Sequence, residues 1–163
     1  MSAGAPVDLS GGRLAAIAKV WKERRETIVA RFGGRSMLPT ISSETDLELA
    51  CGDLPRAGEV VAYEFRDQLV VHRVLAVRHG VMLTRGDAAI VPDSPVLTSR
   101  VLGVVRGARL DGREVPLDPP PSKRLGSWAA RSSLVLFELH PRAAGAFIRV
   151  LWLIRRVVLK LVP

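Results

Sequence analysis

A serine in a turn-rich segment is the first residue whose surroundings suggest chemistry. Ser36 lies in the segment 34–40, Gly-Arg-Ser-Met-Leu-Pro-Thr, shortly after a β-branched run that predicts a strand. Glycines before it and the turn-forming Leu38–Pro39 pair after it can hold the serine in a cleft that an extended peptide approaches edge-on. Because a serine hydroxyl is a weak nucleophile until a neighbouring base accepts its proton, a catalytic role requires such a base. The alternative is a hydroxyl that only stabilises the turn.

Histidine is a better candidate for that base than lysine. The four lysines all lie outside the β-rich part of the sequence: Lys19, Lys22, Lys123 and Lys160. His72 lies in the run 70–75, Val-Val-His-Arg-Val-Leu, and strand alternation puts it on the face of Val70 and Val74. Arg73 then points to the other face. A neutral histidine can accept a proton near pH 7, which suits a general base, whereas the alternative is a histidine that only packs in the core.

Three segments together resemble the signal-peptidase and LexA-like serine peptidases. Segment 34–40 matches their serine box, Gly-x-Ser-Met-x-Pro-Thr, at every fixed position. Segment 70–75 resembles the Val-His-Arg-Val segment of archaeal and endoplasmic-reticulum signal peptidases, in which histidine replaces the catalytic lysine. Segment 83–93 resembles the Thr-Lys-Gly-Asp segment, which carries a second acid six residues after the first. The resemblance covers roughly residues 30–106 and implies a serine endopeptidase that forms an acyl-enzyme on Ser36 with His72 as base.

The resemblance also implies an acid that orients the histidine. Asp93 matches the acid usually assigned to the triad, and Asp87 is the less favoured alternative; either carboxylate can instead cap a turn. Gly34 occupies the position where some members carry a serine that donates to the oxyanion. The backbone N–H of Ser36 is then the secure oxyanion contact.

Short alternating runs predict the fold around these residues. We expect strands at 27–32, 46–51, 59–65, 69–77, 81–85 and 101–109, separated by Gly, Pro and Asp. With no long helical pattern among them, they favour a compact, mainly β barrel or sandwich. The resemblance implies that residues 28–115 form a peptidase domain, folded as the compact β barrel or coiled sheets of that superfamily.

The two ends of the chain carry a different pattern. Residues 1–27 form an extension that contains one short amphipathic helix, and the proline-rich residues 116–124 read as a stiff linker. Apolar residues dominate 125–163, where we expect two helices, the second with a cationic stripe: Arg142, Arg149, Arg156 and Lys160. That helix either lies on an anionic membrane surface or packs on a groove of its own domain or a partner.

Composition limits the remaining possibilities. The 163 residues are enough for one domain with a substantial core, and the formal charge of +8 favours anionic partners without choosing among them. The single Cys51 allows no internal disulfide and no cysteine framework for a metal, and no cofactor is implied. We expect a peptide or protein substrate, no nucleic-acid partner, and a cytoplasmic or peripherally membrane-associated protein, since no signal-peptide pattern begins the chain. The competing function is a peptidase-fold binding module without turnover.

Overall fold

A computed structural model describes residues 7–8, 20–66 and 68–117, together with the pairs 134–135, 137–138, 146–147 and 149–150. Nine strands account for about half of them: β1 (Val7–Asp8), β2 (Thr27–Phe32), β3 (Thr45–Cys51), β4 (Val60–Phe65), β5 (Gln68–Arg78), β6 (Val81–Arg85), β7 (Val96–Leu97), β8 (Val101–Leu110) and β9 (Arg113–Glu114). Helix α1 includes residues 20–24, and a 3-10 turn spans Thr98–Arg100. The predicted mainly β class is therefore confirmed.

The described strands form one sheet in the order β1-β2-β3-β8-β4-β5-β6-β7, with β9 paired to β8. Strands β1 and β2 are parallel and the other neighbours are antiparallel. Among the described residues each end strand pairs with a single neighbour, so the sheet order is open. Strands β8 and β4 lie next to each other near its centre, and β5 follows β4 directly.

Side chains from the two faces of this sheet form separate clusters. In β4, Val60 and Ala62 belong to the first core, whereas Val61 and Tyr63 belong to the second core, because successive side chains of a strand point to opposite faces. The first core is completed mainly by Ile28, Phe32, Met37, Ile41, Leu47, Leu49, Val71, Leu102 and Val105. The second core also includes Val74, Met82, Val96, Val101 and Val104. Burial of both faces explains why β4 is an almost continuous apolar run.

Strand β5 carries a β-bulge that changes which face its side chains reach. Val74 pairs with Thr84, but Ala76 pairs with Leu83, so Leu75 is an extra residue opposite β6. Leu75 and Ala76 both contact a third cluster that also contains Leu83, Val91 and Phe137.

Phe137 connects the C-terminal region to the domain. Its side chain is fully buried against the third cluster, and burying a phenylalanine contributes about 1.5–3 kcal/mol. Arg78 and Glu138 form an exposed ion pair of 3.9 Å, which contributes little stability. Leu134 and Phe137 thus pack against the β domain.

Several predictions fall largely on residues that the structure does not describe. The four described pairs between 134 and 150 are helical, and the remainder of the two predicted C-terminal helices lies outside the described residues, as does most of the N-terminal helix before residue 20. Of the predicted linker, Leu117 packs against the first core, and residues 118–124 lie outside the described set. Within the described part of the chain, no helix has the length and apolar character needed to cross a membrane.

Candidate active site

Ser36 lies in a tight turn whose neighbours are anchored in the first core. The flanking Met37 and the later Ile41 are both fully buried there, and the N–H of Ile41 donates to the Met37 carbonyl over 3.0 Å. The Leu38–Pro39 peptide bond in this turn is cis. Ser36 itself is only partly buried. Ser36 is therefore partly exposed, while the residues that follow it are packed in the first core.

Neither the hydroxyl nor the backbone N–H of Ser36 forms a hydrogen bond with another described residue. Among the hydrogen bonds between described residues, none involves Ser36 Oγ or Ser36 N; the turn is closed by backbone groups of other residues. The Ser36 carbonyl does form a hydrogen bond: it accepts from the N–H of Ala88 over 2.9 Å. The contact ties the serine turn to the loop after β6.

His72 is held through one ring nitrogen by Asp93. The two atoms His72 Nδ1 and Asp93 Oδ2 lie 2.7 Å apart, with the two side chains 13% and 22% exposed. A carboxylate only accepts, so Nδ1–H donates to Asp93 and a neutral ring keeps its lone pair on Nε2. The ring of Tyr63 meets the imidazole edge-on, with centroids 6.3 Å apart. His72 thus faces the second core, on the same side as Val70 and Val74, and the predicted face of β5 is confirmed.

Asp93 is itself fixed by a chain of hydroxyl groups. Thr84 Oγ1 donates to Asp93 Oδ2 over 2.8 Å, and the Tyr63 hydroxyl lies 3.0 Å from Thr84 Oγ1 and 3.3 Å from Asp93 Oδ2. Each hydroxyl has one proton, so the shorter contacts form the chain Tyr63 to Thr84 to Asp93. Burial, and secondarily the charge of Asp93, raise the pKa of Tyr63, which keeps it a neutral donor. The N–H of Asp93 also donates to the Thr84 carbonyl over 2.8 Å.

Gly86 lies between the serine turn and the histidine. A Cβ at this position would lie 2.5 Å from the Ser36 carbonyl oxygen and 3.0 Å from His72 Nε2. Both distances leave no room for a side chain, so a glycine is required by close approach. The same distances place His72 Nε2 and the Ser36 carbonyl close to the same glycine, whereas His72 Nδ1 is bound to Asp93.

Asp87 binds Arg73, whose side chain lies on the face of β5 opposite to His72. Its two carboxylate oxygens accept from Arg73 Nε and Nη2 over 2.9 and 2.8 Å, and Thr40 Oγ1 donates to it over 2.6 Å. Arg73 also donates to the carbonyls of Gly58 and Leu117. Because both charged side chains are buried and each of their nitrogen and oxygen atoms has a hydrogen-bond partner, Asp87 joins the end of the serine box to β5 as a structural contact.

The position two residues before Ser36 is restricted by a neighbouring ring. A Cβ at Gly34 would lie 2.8 Å from Cζ of Phe32, whose side chain is buried in the first core. A serine at this position would therefore require the phenyl ring to move. Packing against Phe32 thus favours the glycine at this position, where some of the peptidases that the sequence resembles carry a serine.

A cleft of about 460 Å³ opens beside the His72–Asp93 pair on the second-core face. It is lined by Tyr63, Phe65, Arg66, Val70, His72, Asp93, Ser94 and Arg149. The guanidinium carbon of Arg66 lies 5.2 Å from the centroid of the Phe65 ring, a cation–π distance. Two arginines and several apolar side chains thus line the cleft beside His72, the candidate base.

Sequence reasoning missed four residues that support the site: Tyr63, Thr84, Arg73 and Gly86. Thr84 and Gly86 lie in the segment 83–93 that the resemblance had singled out, and that segment was the signal available. Arg73 lies in the segment 70–75 that the resemblance had also singled out, whereas Tyr63 gave no signal, because its partners are distant in sequence. Lys22, the only lysine among the described residues, donates to the Ser99 carbonyl over 2.6 Å and has no contact with Ser36.

No group of three or more His, Cys, Asp or Glu side chains within the described residues could hold a metal ion. Comparisons of the chain with protein-family models, with curated proteins and with solved structures gave no match.

Proposed function

We propose that this chain is a serine endopeptidase of the signal-peptidase type, which cleaves a short extended segment of another protein. The observation that carries the proposal is the arrangement of His72: Asp93 holds its Nδ1, and Nε2 lies close to Gly86, which is also in close contact with the turn of Ser36. The sheet would be a variant of the coiled β domain of that superfamily.

The chemistry assigns one role to each group. His72 Nε2 accepts the proton of Ser36 Oγ as the oxygen attacks the scissile carbonyl, and the resulting oxyanion accepts from the Ser36 N–H. Asp93 stabilises the imidazolium, which then donates its proton to the leaving amine. A water molecule, deprotonated by the same Nε2, hydrolyses the acyl-enzyme and returns Ser36 to its starting state.

The surroundings of Ser36 favour a chemical role over a turn-stabilising one. Met37 and Ile41 anchor the turn, and Thr40 binds Asp87, so three positions within five residues of Ser36 have structural partners. The Ser36 hydroxyl has none among the described residues. A direct Ser36–His72 hydrogen bond is also not formed between described atoms, and such contacts commonly tighten only when substrate binds.

A fluorophosphonate probe tests the proposal, since it reacts covalently with activated serines. We expect the wild type to be labelled, Ser36→Ala to be unlabelled, and His72→Ala to react far more slowly. Ser94→Ala is the matched control, because Ser94 is a second serine near the site, lining the cleft beside His72, and its loss is expected to leave labelling unchanged. Undiminished labelling of Ser36→Ala or His72→Ala would exclude the assignment. An unlabelled, well-folded wild type that still binds peptides would identify a binding module without turnover.

A further inference from the structure

Two cations of the cleft have no role in the proposed chemistry. Arg66 follows β4 and Arg149 belongs to the C-terminal region, so positions 83 residues apart in sequence border the same cavity. Both side chains are exposed, and no ion pair between described residues includes either of them. Phe65 and Val70 are apolar residues that line the same cleft as the two arginines and His72.

The position of the cleft relative to the histidine indicates which part of a substrate it would hold. The cleft is lined by His72 and Asp93 but not by Ser36, whereas His72 Nε2 lies close to Gly86, which is also in close contact with the serine turn. In acyl transfer the imidazolium donates to the leaving amine, so the leaving segment lies on the histidine side of the nucleophile. A cavity beyond the histidine would therefore receive residues that follow the scissile bond.

The charges of the cleft favour an anionic ligand. Its one acidic lining residue, Asp93, is already bound by His72 and Thr84, which leaves the two guanidinium groups as the available charges. Arginine forms strong, bidentate hydrogen bonds with carboxylates. The volume of about 460 Å³ lies within the range of roughly 300–1,000 Å³ that is typical of small-ligand sites.

We infer that this cleft selects substrates with an aspartate or glutamate next to an apolar residue on the C-terminal side of the scissile bond, recognised by Arg66 and Arg149. This inference rests on the proposed peptidase function. Arg66 and Arg149 are then specificity-determining residues that take no part in bond cleavage.

The test uses full-length protein and a randomised synthetic peptide library, with the new N-termini identified by mass spectrometry. A cleaved sequence is then made in two forms that differ only by Glu or Gln after the scissile bond. We expect kcat/KM for the Glu form to be at least about tenfold higher in wild type, as for a charge-assisted contact. The ratio should fall toward one in the double variant Arg66→Glu/Arg149→Glu. Arg113→Glu, an exposed charge reversal on β9, is the control and should keep the wild-type ratio.

Equal cleavage of the two forms by wild type, or an unchanged ratio in the double variant, would overturn the inference while leaving the peptidase function intact. If wild type cleaves nothing, the peptidase function fails. Binding of a fluorescein-labelled peptide of alternating Glu and Phe residues, compared with its Gln counterpart, then tests without any cleavage whether the cleft prefers acidic peptides. Preference for the Glu peptide by Ser36→Ala, lost when both arginines are reversed, would support an acidic-peptide cleft; equal binding would reject it.

Discussion

Asp93 Oδ2 lies 2.7 Å from His72 Nδ1, on the face of β5 opposite the one where Asp87 pairs with Arg73. Two carboxylates six residues apart in sequence thus have separate partners. Asp93 can set the tautomer of the histidine, whereas Asp87 neutralises a buried guanidinium.

The first prediction separates these two acids. Asp93→Asn should lower kcat by orders of magnitude with little change in thermal stability, because Thr84 and Tyr63 can still bond an amide oxygen. Asp87→Asn should instead destabilise the fold by about 3–5 kcal/mol, since it leaves the buried Arg73 charge unpaired. Thermal unfolding and steady-state kinetics of both variants measure the difference. A folded, inactive Asp87→Asn beside an active Asp93→Asn would reverse the assignment.

The second prediction concerns the space at Gly86. Gly86→Ala adds a methyl group 2.5 Å from the Ser36 carbonyl oxygen and 3.0 Å from His72 Nε2, so the serine turn and the imidazole must separate. We expect fluorophosphonate labelling to fall at least about tenfold, given that small misplacements of reacting groups are costly. Gly33→Ala is the matched control, because a Cβ there meets no atom within 4 Å. Equal labelling of both variants would show that the close approach has no catalytic importance.

The third prediction follows from the burial of Cys51. Burial, and secondarily the charge of Glu26, raise the pKa of its thiol from 9.0 to about 11. At pH 8 the thiolate fraction is then about one hundred times smaller in the folded protein than in the unfolded chain. Iodoacetamide should modify native protein at least about a hundredfold more slowly than protein in guanidinium chloride.

The same shift makes the stability of the fold depend on pH. Because the pKa of Cys51 is higher in the folded protein than in the unfolded chain, the protonated thiol contributes its full share of stability below pH 9, and that share is lost as the pH rises from 9 toward 11. Cys51→Ala should lack that pH dependence, and rapid native alkylation would contradict the burial.

The fourth prediction tests the packing of the C-terminal region. Phe137→Ala empties a fully buried site beside Leu83 and Val91 and should lower the free energy of unfolding by about 3–5 kcal/mol. Val135→Ala, two residues away and 60% exposed, should change it by less than about 0.5 kcal/mol. Denaturant titrations of both variants give the comparison. If the two variants are equally stable, the segment around 137 does not pack on the β domain.

Local patterns account for the part of the fold that sequence could predict. Strand β3 alternates between buried and less buried positions along its whole length, and the predicted strand at 46–51 differs from Thr45–Cys51 by one residue. The same alternation put His72 and Arg73 on opposite faces. By contrast, β1, β7 and β9 contain two residues each, which is too short for any period to be recognised.

Contacts between distant residues account for what sequence could not predict. Thr40 and Asp87 are separated by 47 residues, and Tyr63 and Asp93 by 30, so no local period relates them. The choice between Asp87 and Asp93 as partner of the histidine came from a family resemblance rather than from the residues themselves. Arg73 decides it physically, since it occupies the oxygens of Asp87 on the opposite face.

The bulge at Leu75 divides β5 into two segments of opposite phase. Before it, even-numbered side chains such as His72 and Val74 reach the second core; after it, the even-numbered Ala76 reaches the cluster around Phe137. A sheet without the extra residue would carry every later side chain of β5 to the wrong face. The strand is therefore intolerant of length change at this point even where it tolerates substitution. Anyone who transplants the His72 segment into another scaffold must keep its residue count as well as its residue types.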